Sequence, residues 1–120
     1  MDLVNLPHLR RLFARPNDSH KYQNGRVLII GGSRAMAGAP VLAGKAALRS
    51  GAGVVELCVP ECVAMVAASF DPCLITHHLS SGADGCFSSE VIDDLVLLAM
   101  RADIVVCGPG IGRSPSVVCM

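Results

Sequence analysis

The sequence of 120 residues contains no tryptophan, and aromatic residues make up only 3% of it. Ten basic and ten acidic side chains balance to a formal net charge of zero, without a basic patch. Because nucleic-acid-binding domains carry a basic face or stripe, this balance excludes nucleic acid as a partner. The apolar runs are far shorter than the roughly 18 residues that span a bilayer, and the first residues lack the basic and apolar regions of a signal peptide. We therefore expect a cytoplasmic protein without a membrane partner.

A recognisable metal-binding pattern is also missing. The six cysteines form no CxxC pair, and their spacing fits no common zinc motif, so no metal site is predicted. Cys58 and Cys107 lie within apolar runs, where a free cysteine behaves as a small buried hydrophobic residue. No cysteine or carboxylate cluster accompanies His77 and His78 at metal-binding spacing. We expect these two histidines to cap a strand near the surface.

Apolar residues are abundant, at 52% of the chain with a mean hydropathy of +0.51, and they suffice for the core of one small domain. Apolar runs without polar alternation alternate with helical segments. Strands are predicted at 26–31, 54–59, 73–77 and 103–107, and helices at 6–14, 39–50, 61–69 and 88–101. This order predicts an α/β domain with a mainly parallel sheet and helices on both faces.

Two glycine-rich loops follow two of the predicted strands. The first is GGSRAMAGA at 31–39, and the second is GPGIG at 108–112. Ligands of parallel sheets bind at the carboxyl ends of the strands, and glycine lets backbone amides approach a phosphate or a sugar closely. The two loops are therefore candidate anion or nucleotide loops, although a plain strand-to-helix turn would produce the same pattern.

The common phosphate-binding motifs do not explain these loops. A Walker A loop requires Ser or Thr after its Gly-Lys pair, whereas Gly44-Lys45 is followed by Ala46. A dinucleotide fingerprint lies between a strand and a helix, whereas Gly51-Ala52-Gly53 follows a helix. We expect the glycines at 51 and 53 to stop that helix and to form a tight turn.

Three segments taken together carry a resemblance to a known family. In chain order they are HKYQNGRVLIIGGSRAMAGA, AALRSGAGVVELCVPE and ADIVVCGPGIGR. They resemble the ADP/ATP-dependent NAD(P)H-hydrate dehydratases of the ribokinase-like superfamily. The resemblance implies a three-layer ribokinase-like fold and a homotetrameric assembly. It also implies the family's reaction, in which ADP or ATP, usually with Mg²⁺, phosphorylates the ring hydroxyl of hydrated NADH or NADPH and phosphate is then lost.

The same resemblance implies substrate contacts at Ala39 and Gly112, with Gly110 as a further position. Ala39 is small and stands at a helix start, where amides point outward, and Gly112 lets the backbone approach a dinucleotide. The family's adenine-nucleotide loop and catalytic Asp lie in its second half, so we expect no catalytic residue in this chain. Residues 20–120 are then the front portion of an incomplete catalytic domain, and residues 1–19 are an entry segment.

Two other functions remain open at this point. The GPGIG loop suits a ribokinase-like small-molecule kinase equally well, whereas GGSRAMAGA and RSGAGVVELCVPE favour the dehydratase. A chain without the catalytic base is also consistent with an inactive truncated nucleotide-binding fragment. Binding of hydrated NADH, NADH and ATP would distinguish the three functions.

Overall fold

A computed structural model describes residues 16–118, so the helix predicted at 6–14 lies outside the described residues. A short 3-10 helix, Lys21–Asn24, precedes the first strand, and a 3-10 turn, Ser89–Val91, precedes the third α-helix. The strands and α-helices are β1 (Arg26–Ile30), α1 (Gly38–Arg49), β2 (Val54–Pro60), α2 (Glu61–Ser69), β3 (Ile75–Leu79), α3 (Ile92–Ala99), β4 (Ile104–Cys107) and α4 (Pro115–Val118).

The four strands form one parallel sheet in the order β3-β2-β1-β4. The chain moves outward from β1 to β3 and then crosses back to place β4 on the other side of β1. This arrangement confirms the predicted α/β fold. Because the strand order reverses at β1, the carboxyl ends of β1 and β4 flank the crevice where open α/β sheets bind their ligands.

Alternate residues of the central strands enter two separate cores. Val27 and Ile29 pack with α1 and α2 on one face, and Leu28 and Ile30 pack with α3 on the other. Burial on both faces explains why β1 and β2 are continuous apolar runs rather than alternating ones. Phe87, which is fully buried, anchors the α3 side.

Proline and glycine residues determine where helix α1 begins and ends. Pro40 lies in the first turn, where its missing N–H costs no helical hydrogen bond. At the other end, Gly51 has a φ of 108° and donates to the Leu48 oxygen, while the Ala52 N–H donates to the Ala47 oxygen. These two bonds form a Schellman motif, which confirms the predicted helix stop.

The turn that joins α1 to β2 requires glycine at its last position. A Cβ on Gly53 would collide with the carbonyl oxygen of Lys21, and the Gly53 N–H donates to the oxygens of Asn24 and Gly25. Residues 51–53 are therefore a close-packed structural turn at the amino end of the sheet.

Two predictions about the strands are wrong in detail, and the helix predicted at 88–101 is an α-helix only over Ile92–Ala99. Strand β3 begins at Ile75 instead of residue 73, because the Asp71 side chain and carbonyl accept from the N–H groups of Cys73 and Leu74 and hold a turn there. Cys107 is exposed instead of buried, because β4 is an edge strand. Cys58, in central β2, is fully buried as predicted, and burial raises the pKa of its thiol to about 12.

Candidate functional site

The two glycine-rich loops meet at the carboxyl ends of β1 and β4. The Gly32 N–H donates to the Pro109 oxygen at 2.9 Å, and the Gly108 N–H donates to the Ile30 oxygen at 3.0 Å. A Cβ on Gly31 would collide with the same Pro109 oxygen. Gly31 and Gly32 therefore let the chain leave β1 while the second loop packs directly against it.

The structure brings two of the predicted contact positions into direct contact with each other. A Cβ built on Gly110 would lie 2.9 Å from the Ala39 Cβ, so the loop after β4 rests on the first turn of α1. Gly110 has a φ of 69°, in the left-handed region that favours glycine. Ala39 is half-buried at this contact, and a larger side chain there would displace the loop.

Gly112 lies further along the same loop, next to residues that sequence reasoning did not select. Its φ is 89°, and a Cβ there would lie 2.6 Å from the Cys86 Sγ and 3.7 Å from the Ser33 Cβ. Both Cys86 and Ser33 are buried. Gly112 is therefore held between the loop after β1 and the loop after β3.

That third loop, residues 80–87, is a compact hairpin-like turn. Ser81 and Phe87 form an isolated antiparallel bridge, and the Gly82 N–H donates to the Cys86 oxygen at 3.0 Å. The Arg34 N–H donates to the Gly85 oxygen at 3.0 Å and ties this loop to the loop after β1. Three loops, after β1, β3 and β4, thus form the candidate site.

Four residues of this site, Ser33, Arg34, Gly85 and Cys86, were not identified as site residues from the sequence. Ser33 stands in no GxSxG motif, so the sequence gives it no role as a nucleophile. The single local signal for the third loop is its turn composition, SSGADG, directly after a predicted strand. Only the contact between Gly112 and Cys86 shows that this loop reaches the loop after β4, because β3 and β4 lie at opposite edges of the sheet.

The main buried charge of the described residues lies away from these loops. The Glu56 side chain is 4% exposed, accepts from Arg26 Nε, and lies 2.6 Å from His77 Nε2. Burial opposes ionisation, but hydrogen bonds from Arg26 and His77 outweigh it and hold the pKa of the Glu56 carboxyl below its ordinary value. The three residues lie on neighbouring strands, on the face covered by α3.

This cluster corrects the prediction for the histidine pair. His77 and His78 lie within β3 instead of capping it, and His77 is bound to a buried carboxylate. In residues 16–118, no group of three or more His, Cys, Asp or Glu side chains could hold a metal ion. Across the same residues, no helix has the length and apolar character to cross a membrane.

A cleft of about 1000 Å³ opens at the amino end of the sheet, lined by residues such as Gly25, Leu48, Ala52 and Ile104. It faces away from the three loops. Among residues 16–118, Arg49 is the one ionisable side chain in its lining. Strand order and loop contacts therefore locate the candidate site better than cavity size does.

These features define the class of protein: an open parallel α/β domain with glycine loops at its topological switch point. A solved ribokinase-like superfamily protein of Enterococcus faecalis covers 90% of this chain with a TM-score of 0.72 and 27% identity. The family model described as NAD(P)H-hydrate dehydratase matches residues 27–119. The chain belongs to the NAD(P)H-hydrate dehydratase family.

Relatives with named activities agree with this family. The bifunctional NAD(P)H-hydrate repair enzyme Nnr of Methanothermobacter thermautotrophicus is 46% identical over 94% of this chain. The ATP-dependent (S)-NAD(P)H-hydrate dehydratase of Drosophila melanogaster is 32% identical over 96% of it. The Bacillus subtilis ADP/ATP-dependent NAD(P)H-hydrate dehydratase, co-crystallised with ATP and Mg²⁺, superimposes on 88% of it with a TM-score of 0.58 and 26% identity.

The matched region is a limited part of each relative. The chain spans 23% of the Methanothermobacter protein, 38% of the Drosophila protein and 44% of the Bacillus chain.

Proposed function

We propose that this chain supplies the substrate-binding wall of an ADP/ATP-dependent NAD(P)H-hydrate dehydratase, a hydro-lyase that returns (S)-NAD(P)H-hydrate to NAD(P)H. One observation carries the proposal. The glycine loops after β1 and β4 converge at the topological switch point, with Gly110 packed on Ala39. Family membership and the activities named for the relatives support the same reaction.

In the proposed reaction, this chain binds and orients the hydrated dinucleotide. The ring hydroxyl of the hydrated nicotinamide loses its proton and its oxygen bonds to the terminal phosphorus of ADP or ATP, while the donor's P–O bond breaks and AMP or ADP leaves. Phosphate then leaves, a neighbouring ring carbon loses a proton, and the ring double bond is restored. Ala39 and Gly112 would hold the dinucleotide beside the loops, and the base that takes the proton is assigned to no residue of this chain.

ADP or ATP is proposed as the phosphoryl donor, with Mg²⁺ as its metal ion. Glycine loops at the carboxyl ends of parallel strands let the backbone approach a phosphate closely, so the loops fit a nucleotide or dinucleotide phosphate. The structure indicates no site for the metal ion, because residues 16–118 include no cluster of side chains that could bind it. We therefore assign Mg²⁺ to no side chain of this chain. The same proposal takes residues 20–120 as the front portion of the catalytic domain and residues 1–19 as an entry segment.

Calorimetry with the 120-residue chain tests the proposal. We expect binding of hydrated NADH or hydrated NADPH, and no turnover by this chain with ADP or ATP. Ala39→Val should weaken binding about tenfold, because one or two added methyl groups in a tight contact cost that much. Ala46→Val is the matched control, since Ala46 is exposed on the same helix and shares the propensity cost of valine.

Failure of the wild-type chain to bind either hydrated dinucleotide would overturn the proposal. An Ala39→Val variant that binds as tightly as the Ala46→Val variant would show that Ala39 does not contact the ligand. Phosphorylation of a sugar or vitamin precursor, without any affinity for the hydrated cofactor, would instead support the small-molecule kinase.

We further propose a homotetramer in the cytoplasm. Large apolar side chains are exposed on the described surface, among them Met65, Leu97, Met100 and Ile104. Such side chains are compatible with an interface between copies. Sedimentation equilibrium checks this assembly, and a species with the mass of one chain at all concentrations would contradict it.

A further inference from the structure

The Arg34 side chain lies across Gly85, at the junction of two loops of the candidate site. A Cβ built on Gly85 would lie 2.5 Å from the Arg34 Cβ and 2.9 Å from its Nε. Gly85 is buried and has a φ of 75°, and its oxygen accepts from the Arg34 N–H. The missing side chain at residue 85 therefore creates the space that the arginine occupies.

Arg34 also has no charged partner among the described residues, whereas Arg26, the first residue of β1, is paired with Glu56. Within residues 16–118, ion pairs connect Arg26 and His77 to Glu56, and Lys45 to Asp71. Arg34 is exposed and takes part in none of them. The Arg34 guanidinium, without an ion-pair partner in the described part of the chain, therefore lies over Gly85 between the loops after β1 and β3.

The location determines which ligand would meet this cation. Residue 34 lies in the loop after β1, the loop that also contacts Pro109 and Gly112 of the loop after β4. A dinucleotide bound there carries a bridging pyrophosphate, and the NADPH form carries one more phosphate on a ribose. Guanidinium binds phosphate through paired N–H groups with charge assistance.

We propose that Arg34 is a substrate-binding residue that contacts a phosphate of the dinucleotide, and that Gly85 is the positioning residue beneath it. This inference rests on the proposed function, since it assumes a dinucleotide at the three loops. It assigns a ligand contact to a side chain, whereas Ala39 and Gly112 act through their small size.

Binding of hydrated NADH and hydrated NADPH to the 120-residue chain, measured by calorimetry at several salt concentrations, tests the inference. Arg34→Gln should weaken binding about tenfold and reduce its salt dependence, because one charge-assisted contact is lost. Arg34→Lys should bind with intermediate affinity, since it keeps the charge without the paired N–H groups. Arg49→Gln is the matched control, an exposed arginine at the far end of α1.

The two dinucleotides distinguish the source of the phosphate. An equal loss for both in Arg34→Gln supports contact with the bridging pyrophosphate, and a loss for hydrated NADPH alone supports contact with the ribose phosphate. Unchanged affinity in Arg34→Gln, with normal wild-type binding, overturns the inference and leaves the proposed function intact. If the wild-type chain binds neither dinucleotide, the proposed function fails, and this inference fails with it.

A second variant tests the positioning role of Gly85. Gly85→Ala keeps the guanidinium but fills the space beneath it, so it should weaken binding nearly as much as Arg34→Gln. In the Arg34→Gln background, the same change should weaken binding less than twofold further. An equally large effect of Gly85→Ala in both backgrounds would contradict the positioning role.

Discussion

The two ends of the sheet use the same kinds of residue in opposite ways. At the amino end, the glycine turn at 51–53 is packed against the preceding 3-10 helix, and Arg26 is paired with Glu56. At the carboxyl end, the glycine loops pack against one another at a switch point, and Arg34 has no charged partner among the described residues.

This difference separates stabilising groups from groups available to a ligand. An arginine whose charge is already neutralised by a buried carboxylate contributes to the folded state. An arginine held in place without such a partner is free to bind an anion. We therefore expect substitutions at the amino end to change the free energy of unfolding, and substitutions at the carboxyl end to change affinity.

The largest effect is expected for Gly53→Ala at the amino end. The added Cβ would collide with the Lys21 oxygen, so the turn and the 3-10 helix must move apart. Overpacking against backbone should lower the free energy of unfolding by about 3 kcal/mol. Urea unfolding followed by circular dichroism measures this change. The affinity of the remaining folded protein for hydrated NADH should be unchanged, and a selective loss of affinity would break the distinction between the two ends.

A smaller loss of stability is expected for Arg26→Met. Glu56 would keep only His77 as a partner inside a buried environment. Breaking such a pair by removing one member should cost about 2 kcal/mol, because the remaining carboxylate is less well compensated. Arg26→Met combined with Glu56→Leu should recover part of the loss in urea unfolding. A double variant no more stable than Arg26→Met would show that the pair is not the cause.

Most of the fold could be predicted because its signals are local. The buried runs of β1 and β2 and the glycine that ends α1 give boundaries within one residue of those observed. The start of β3 was misplaced because a side-chain hydrogen bond of Asp71 holds the preceding residues in a turn. The exposure of Cys107 depends on the edge position of β4, which the strand order determines.

The candidate site was only partly predictable from the sequence, because some of its contacts join loops that are far apart in the chain. The loops after β1 and β4 were visible as glycine clusters, and the resemblance selected Ala39 and Gly112. The contacts of Arg34 with Gly85 and of Cys86 with Gly112 connect loops that are distant in sequence. Residue spacing along the chain does not predict such contacts, because they form only when the folded sheet brings the ends of its strands together.

Gly112→Ala should have an intermediate effect, divided between stability and affinity. The new methyl group would lie 2.6 Å from the Cys86 Sγ, at a backbone φ of 89°. Gly25→Ala is the matched control, because Gly25 has a φ of 88° but no atom within 4 Å of the added Cβ. Crowding should make Gly112→Ala about 1 kcal/mol less stable than Gly25→Ala. It should also weaken binding of hydrated NADH about tenfold, whereas Gly25→Ala should leave binding unchanged.

Removing the sulfur tests the cause of that crowding. Cys86→Ala should restore most of the stability lost in Gly112→Ala, leaving the backbone strain that Gly25→Ala shares. Thermal unfolding of the wild-type chain, the two single variants and the double variant gives the coupling free energy between residues 86 and 112 directly. Independent, additive effects of the two substitutions would show that the Cys86 contact does not limit residue 112.

The smallest effect is expected in the acid dependence of stability. The pKa of Glu56 lies below its ordinary value of 4.5, because hydrogen bonds from Arg26 and His77 outweigh its burial. A carboxyl whose pKa is lower in the folded state stabilises the protein fully above pH 4.5. That contribution is lost as the pH falls through 4.5 to the folded pKa.

Glu56→Gln should therefore flatten the fall in the free energy of unfolding below pH 4.5. The pKa of Asp71 is also lowered, chiefly by the backbone N–H of Cys73, so its own acid dependence has the same sign. Asp71→Asn, at a more exposed carboxyl, is the matched control and should flatten the fall less than Glu56→Gln. Urea titrations between pH 3 and pH 6 (about 0.5 unit apart) measure both slopes. A profile unchanged by Glu56→Gln would mean that the amino end does not neutralise its charges within the fold, and the contrast with Arg34 would lose its basis.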